Sequence, residues 1–204
     1  MNKYNSHIHH RRSIRLQGYD YSQNGAYFVT ICTQNRECLL GEIVDGEMRL
    51  NDAGVMVKTV WGKLSERFPL VSLGESVIMP NHMHGIICIV GAPLVGAQNS
   101  RTGTESNRAP TRGAPTLGDI TGAFKSITTH EYIKGVKEFQ WRPFPGKLWQ
   151  RNYFDHIIRN DESMNKIREY IIQNPLKWLD DIENPEVEDR ERVKNPYAGL
   201  FELS

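Results

Sequence analysis

Cysteine is scarce in this chain. Cys32, Cys38 and Cys88 are the only three in 204 residues, and none forms a Cys-x-x-Cys pair. An odd number without paired spacing argues against a disulfide framework, and the expected setting is reducing cytoplasm. Long apolar runs are also missing. A membrane-spanning helix needs roughly 18 or more consecutive apolar residues, so none is expected. The first residues are polar and basic, without the apolar segment of a secretory signal. No Gly-x-x-x-x-Gly-Lys-[Ser/Thr] stretch occurs, which argues against phosphate chemistry driven by a P-loop. A large charge of one sign is absent as well, since the formal net charge is only +1.

That small total hides an uneven distribution. Residues 1–16 carry Lys3, Arg11, Arg12 and Arg15 and no acid, while residues 177–204 carry eight acidic and four basic side chains. Residues 101–151 hold nine basic and four acidic side chains. Basic segments neutralise phosphates and release counterions, which makes nucleic-acid binding salt-sensitive. The chain therefore divides into a basic N-terminal arm over 1–24, a core over 25–176 and an acidic tail over 177–204. One domain suits this length. Residues 91–116, rich in Gly, Ala, Pro, Ser and Thr, read as a flexible loop inside the core.

Periodicity supplies the elements. Residues 25–33 read as a buried strand, and 38–50 alternate around Asp45-Gly46 as a hairpin. A helix is expected from Asn51 or Asp52 to about Arg67, strands over 71–79 and 82–90, and a helix from Leu117 to about Gly135. A further strand lies within 147–158. The order of strands and helices indicates an α+β fold, with helices mainly on one face of an antiparallel sheet.

The densest chemistry lies in Met79-Pro80-Asn81-His82-Met83-His84-Gly85, which opens a β-branched apolar run. Alternate side chains of a strand share a face. His82 and His84 therefore emerge side by side, with Met83 turned away, and two imidazoles on a rigid strand can share one divalent cation. A short helix over 160–174 follows, capped by Asn160 or Asp161 and carrying Met164, Ile167 and Ile171 on its apolar stripe. Tyr170 and Asn174 are four residues apart and share a helix face. Pro175 disfavours continuation beyond Asn174.

Four stretches together resemble the REP-associated tyrosine transposases, bacterial members of the single-tyrosine HUH transposase family. They are His9-His10-Arg11-Arg12-Ser13-Ile14-Arg15-Leu16-Gln17-Gly18-Tyr19-Asp20-Tyr21, the Met79–Gly85 core, Gly146-Lys147-Leu148-Trp149-Gln150-Arg151-Asn152-Tyr153, and Tyr170–Pro175. The resemblance implies a ferredoxin-like sheet, Tyr170 as nucleophile, and His82, His84 and Asn174 as metal ligands. Insertion-sequence relatives carry Gln four residues after the tyrosine, where this chain has Asn174. Asn offers the same carbonyl on a shorter stem, with Gln173 as its rival. The resemblance also implies cleavage and rejoining of single-stranded DNA at hairpin repeats of the REP type, through a 5′-phosphotyrosine link. His10, Arg11, Arg12, Arg15, Lys125, Trp149, Gln150 and Arg151 are the DNA-binding candidates, with Tyr19 and Tyr21 as further aromatics that could stack on bases. A bacterial, nucleoid-associated protein acting as monomer or homodimer is expected.

Nitrogen and amide ligands, completed by water and phosphate, suit Mg²⁺ or Mn²⁺. A phenol has an ordinary pKa near 10 and needs an activated target or a nearby base. Tyr153 is the rival nucleophile, although no helical ligand partner follows it. A hairpin-binding regulator without turnover and a relaxase-like nickase are the alternative functions.

Overall fold

A computed structural model describes residues 20, 21, 23–90, 115–187 and 197. His10, Arg11, Arg12, Arg15 and Tyr19 of the basic arm, most of the 91–116 loop, and the end of the acidic tail apart from Tyr197 lie outside the described residues.

The β-branched and aromatic run Gly25–Cys32 forms β1. A hairpin follows, of β2 (Gly41–Val44) and β3 (Glu47–Leu50), as its Asp-Gly turn demands. Asp45 and Gly46 both adopt positive φ, at 53° and 76°. Two successive positive φ angles match the turn that follows the twist of a hairpin. Asn51 accepts a bond from the Gly54 amide and caps α1 (Asp52–Gly62). The helix expected to run on to Arg67 breaks at Lys63 (φ −88°, ψ 0°) and resumes as α2 (Leu64–Arg67). Gly62 sits at the break, where the poor helix propensity of glycine weakens continuation.

Strand β4 (Val71–Ile78) pairs with β5 (His82–Ile89), α3 spans Leu117–Phe139, and β6 (Phe154–Ile158) leads to α4 (Asp161–Gln173). Helix α3 is longer than periodicity suggested and opens with a capping box between Thr116 and Asp119. The main sheet has the order β4-β5-β1-β6 with every pairing antiparallel. With α1 after β1 and α3 after β5, this is the split βαβ arrangement of ferredoxin-like folds. The expected α+β class is what the chain adopts.

Alternation along the strands separates two cores. Tyr27, Val29, Ile31, Met83 and Ile87 face Val57 and Trp61 of α1 and Ile120 and Phe124 of α3. Phe28 and Ile86 face the opposite way and pack with Ile158, Ile167 and Ile171. Helices α1 and α3 thus cover one face, and α4 packs on the other together with Tyr197. Burying each of these side chains contributes roughly 1.5–3 kcal/mol. Gly85 permits a close approach on the histidine strand: a Cβ there would lie 2.3 Å from Trp61 Cζ2. The missing side chain lets the indole seat directly behind the histidine strand.

Candidate active site

His82 and His84 lie on the α4 face of β5, a strand flanked on both sides, and both are fully buried. Their Nε2 atoms are 3.1 Å apart. Each ring is held from behind. Nδ1 of His82 lies 2.8 Å from Asn81 Oδ1, and Nδ1 of His84 lies 2.9 Å from the hydroxyl of Thr30, its directly opposed partner on β1. Phe28 stacks on His84 with centroids 5.3 Å apart, and the indole of Trp178 lies 6.1 Å from His82. Burial lowers the pKa of His82 to about 4, while the charge of Glu183 opposes the shift. Burial also depresses His84, and His82 adds to the effect. Both imidazoles are therefore neutral at pH 7, the state in which histidine binds metal.

Helix α4 begins at Asn160, whose side chain accepts from the Ser163 amide. Its apolar stripe seats Ile167 and Ile171 on the sheet and brings Tyr170 to the histidines, with the phenol 3.3 Å from His84 Nε2. Burial raises the phenol's pKa above the ordinary value, and the charge of Asp181 raises it further. Asn174 is buried and its amide influences His82, Tyr170 and Asp181 together. Gln173 spends its amide on Glu169 at 2.8 Å, on the exposed side of the helix. Of the two rival ligands, Asn174 is the one at the histidines.

Past Pro175 the chain does not leave the surface. A 3₁₀ segment, Asn174–Asp180, bends it back against the sheet. Asp181 then lies with Oδ2 3.7 Å from His82 Nε2, and its other oxygen accepts from the Glu183 amide at 2.7 Å. Burial raises its pKa. Glu183 is clamped by Arg36 at 2.6 Å. Sequence reasoning assigned residues from 177 onward to an acidic tail and missed both carboxylates. Charged residues rarely bury without a partner, and the partners here, Arg36 and His82, are remote in sequence. Tyr197 was missed too. Its ring packs between Phe28, Phe154 and Tyr170, 5.9 Å from that of His84. Asn81 was legible only as part of the histidine motif.

The DNA-binding candidates of the central region separate by environment. Trp149 is a core residue: it is 4% exposed, donates to the Thr128 hydroxyl at 2.8 Å and packs on Phe124. It is unavailable for stacking on a base, because its apolar ring belongs to the α3 core. The expected role of Tyr21 changes in the same way, since it is buried beside Tyr27. Lys125 directs its ammonium at the carbonyls of Gln150 and Asn152, each at 2.9 Å, and over the Tyr153 ring. It thus ties down the 150–152 loop from inside. Gln150 donates to the Thr33 carbonyl at 3.2 Å, whereas Arg151 is exposed. Tyr153, the rival nucleophile, packs with the α1/α3 core rather than the histidines.

Among the described residues, His82, His84 and Asp181 form a group whose ligand atoms lie within 4.8 Å of one another. Asn174 Oδ1 and Asp181 Oδ2 are buried without hydrogen-bond partners. Orphaned buried oxygens are costly. Two such oxygens beside two neutral imidazoles fit a divalent cation. The mixed nitrogen and oxygen donors suit Mg²⁺ or Mn²⁺ better than a thiolate-seeking ion. Among the described residues no helix is long and apolar enough to cross a membrane.

This fold is found in solved structures. The chain superposes on a REP-associated tyrosine transposase bound to a REP hairpin with a TM-score of 0.50, at 19% identity over 80% of this chain and 74% of that one. A proposed transposase from Deinococcus radiodurans gives a TM-score of 0.41 at 16% identity, over 80% of this chain and 98% of that one, too low to bear on the fold. No family model matches the sequence. An uncharacterized protein of Haemophilus influenzae strain Rd is 44% identical over 180 residues, covering 88% of this chain and 96% of that protein. The chain belongs to the same family as that H. influenzae protein.

Proposed function

We propose that this protein is a transposase-type DNA strand transferase that cleaves and rejoins single-stranded DNA at hairpin repeats. The observation that carries the reading is Tyr170, with its hydroxyl 3.3 Å from His84 and the two Nε2 atoms 3.1 Å apart. A phenol, two neutral imidazoles, a buried amide and a buried carboxylate meet at one point. That set matches tyrosine-mediated phosphoryl transfer, and the REP-type resemblance gives the substrate class.

In this reading His82, His84, Asp181 and Asn174 hold Mg²⁺ or Mn²⁺, which when bound polarises a scissile phosphate. Tyr170 oxygen forms a bond to phosphorus as the bond to the 3′ oxygen breaks. The 3′ oxygen leaves as a hydroxyl, and the DNA 5′ phosphate stays on the tyrosine. The phenol is held protonated by burial, so its proton departs during attack. That proton passes to solvent and the leaving 3′ oxygen takes one up from solvent, so the transfer balances while Asp181 stays among the residues that would hold the cation. The ester conserves the bond energy, and a second 3′-hydroxyl reverses the step without ATP. The basic arm with His10, Arg11, Arg12 and Arg15, together with Gln150 and Arg151, supplies the DNA contacts. Arginines fork onto guanine edges as well as phosphates.

The test is incubation with labelled single-stranded hairpin DNA and Mg²⁺, followed by a denaturing gel. A metal-dependent protein–DNA adduct in wild type, absent from Tyr170→Phe and His82→Ala, is the expected outcome. Tight hairpin binding with neither adduct nor nick in wild type identifies a hairpin-binding protein without turnover.

A further inference from the structure

Neutral histidine has two tautomers, and only a bare ring nitrogen can bind a cation. Which nitrogen of His82 is bare depends on what stands behind the ring. Asn81 stands there. It is fully buried, and its side chain makes three bonds. One end of the carboxamide faces two main-chain carbonyls, Arg36 O at 3.0 Å and Glu183 O at 2.7 Å. Carbonyls only accept, so that end is the NH₂ group. A flipped amide would set its oxygen against both carbonyls and lose both bonds. The other end is therefore the oxygen, 2.8 Å from His82 Nδ1. An oxygen there demands a proton on Nδ1.

We propose that Asn81 is a positioning residue that locks His82 in its Nδ1–H tautomer and so keeps the Nε2 lone pair directed at the site. The lock is set by tertiary structure: the two carbonyls that orient Asn81 come from the segment after β1 and from the chain beyond α4. Docking of the 181–184 segment, held by the Arg36–Glu183 ion pair, is thereby tied to the histidine it faces. His84 is built differently. Its Nδ1 partner is the Thr30 hydroxyl, which donates or accepts equally well. With His82 Nε2 bare, His84 can carry its proton on Nε2 and donate across the 3.1 Å gap. When both Nε2 atoms are needed as ligands, that proton moves to Nδ1 and Thr30 accepts it. One histidine is locked and its neighbour adapts.

The lock deepens the metal-site reading given above, but its primary observable does not depend on that reading. Long-range ¹H–¹⁵N correlation of the histidine rings, on chelator-treated protein at neutral pH, reports each tautomer directly. Wild type is expected to show a protonated Nδ1 and a bare Nε2 at His82. Asn81→Ala is expected to shift His82 toward Nε2–H and to weaken Mn²⁺ binding, followed by the EPR signal of the free ion, by about 10–100-fold. A wild-type His82 protonated on Nε2 overturns the proposal. So does an Asn81→Ala protein whose His82 tautomer is unchanged, whatever its Mn²⁺ affinity. If Asn81→Ala does not fold, the wild-type spectrum decides. If wild type shows the locked tautomer but binds no Mn²⁺, the metal reading fails and the lock stands.

Discussion

Asp181 points Oδ2 at His82 Nε2 across 3.7 Å, and that oxygen has no hydrogen-bond partner. A buried carboxylate beside a neutral imidazole gains little by itself, and burial raises its pKa. It becomes useful when a cation lies between. Asp181→Asn removes the charge and keeps the shape. Mn²⁺ affinity, measured by titration calorimetry, is expected to fall at least about 10-fold. Asn174→Ala is the comparison. If Asn174→Ala abolishes binding and Asp181→Asn leaves it intact, the ligand set is the amide and the two histidines alone.

Tyr170 should separate binding from chemistry. Tyr170→Phe removes one oxygen and keeps the ring against Phe28 and Tyr197. Hairpin affinity is expected to stay within about twofold and the covalent adduct to disappear, a loss of the nucleophile rather than of the fold. An adduct that persists in Tyr170→Phe, mapped by mass spectrometry to another residue, would exclude Tyr170 as the nucleophile.

Stability in chelator should fall as the solution is acidified. His82 has a folded pKa of about 4, below its ordinary 6.5, chiefly through burial. The unfolded chain then binds more protons between those values. Stability is complete above pH 6.5 and declines until about pH 4, by about 3 kcal/mol for a shift of this size. His84 contributes in the same direction. Asp181 runs the other way, because its raised pKa makes acidification relieve a buried charge. Urea unfolding at several pH values is expected to show a net loss across this window, reduced in His82→Gln. Stability that rises from pH 6.5 to 4.5 would contradict the buried neutral pair.

Gly85 should not tolerate a methyl group. The added Cβ would meet Trp61 at 2.3 Å on the rigid face of the histidine strand. Overpacking of this kind costs about 1–3 kcal/mol. Gly85→Ala is expected to lower the melting temperature, and adding Trp61→Leu is expected to recover part of the loss. A neutral Gly85→Ala variant would mean that the indole is not seated there.

Arg151 is exposed, whereas Trp149 is buried and the half-buried Lys125 spends its ammonium on backbone carbonyls. If it contacts phosphate, Arg151→Ala weakens hairpin binding and reduces the slope of log K against log salt by about one. Lys125→Met is expected to act on protein stability instead, by freeing the carbonyls of residues 150–152. An unchanged salt slope in Arg151→Ala would remove Arg151 from the interface.

Local periodicity carries much of this molecule. The Asp45-Gly46 turn, the helix cap at Asn160 and the alternation through His82-Met83-His84 depend on neighbours within a few residues, so they are legible in the chain. The pairing of Tyr170 with Asn174 follows from one turn of helix. The sequence does not announce Asp181, which reaches His82 only because the Asn174–Asp180 turn folds back and Arg36 clamps Glu183. Nor does it show that Trp149 turns inward to Thr128 while Arg151 faces out, since both sit in one short irregular stretch.

The sequence by itself determined most of the strands and helices, the shared face of the two histidines, and the helix that carries the tyrosine. Each of these is a matter of residue spacing against a period of two or 3.6. Tertiary structure alone decided that the tyrosine helix covers the histidine face, that a carboxylate from beyond Pro175 joins them, and that Asn81 is oriented by carbonyls remote in the chain. Those outcomes depend on strand order and on burial shared between distant segments, and no local period encodes either.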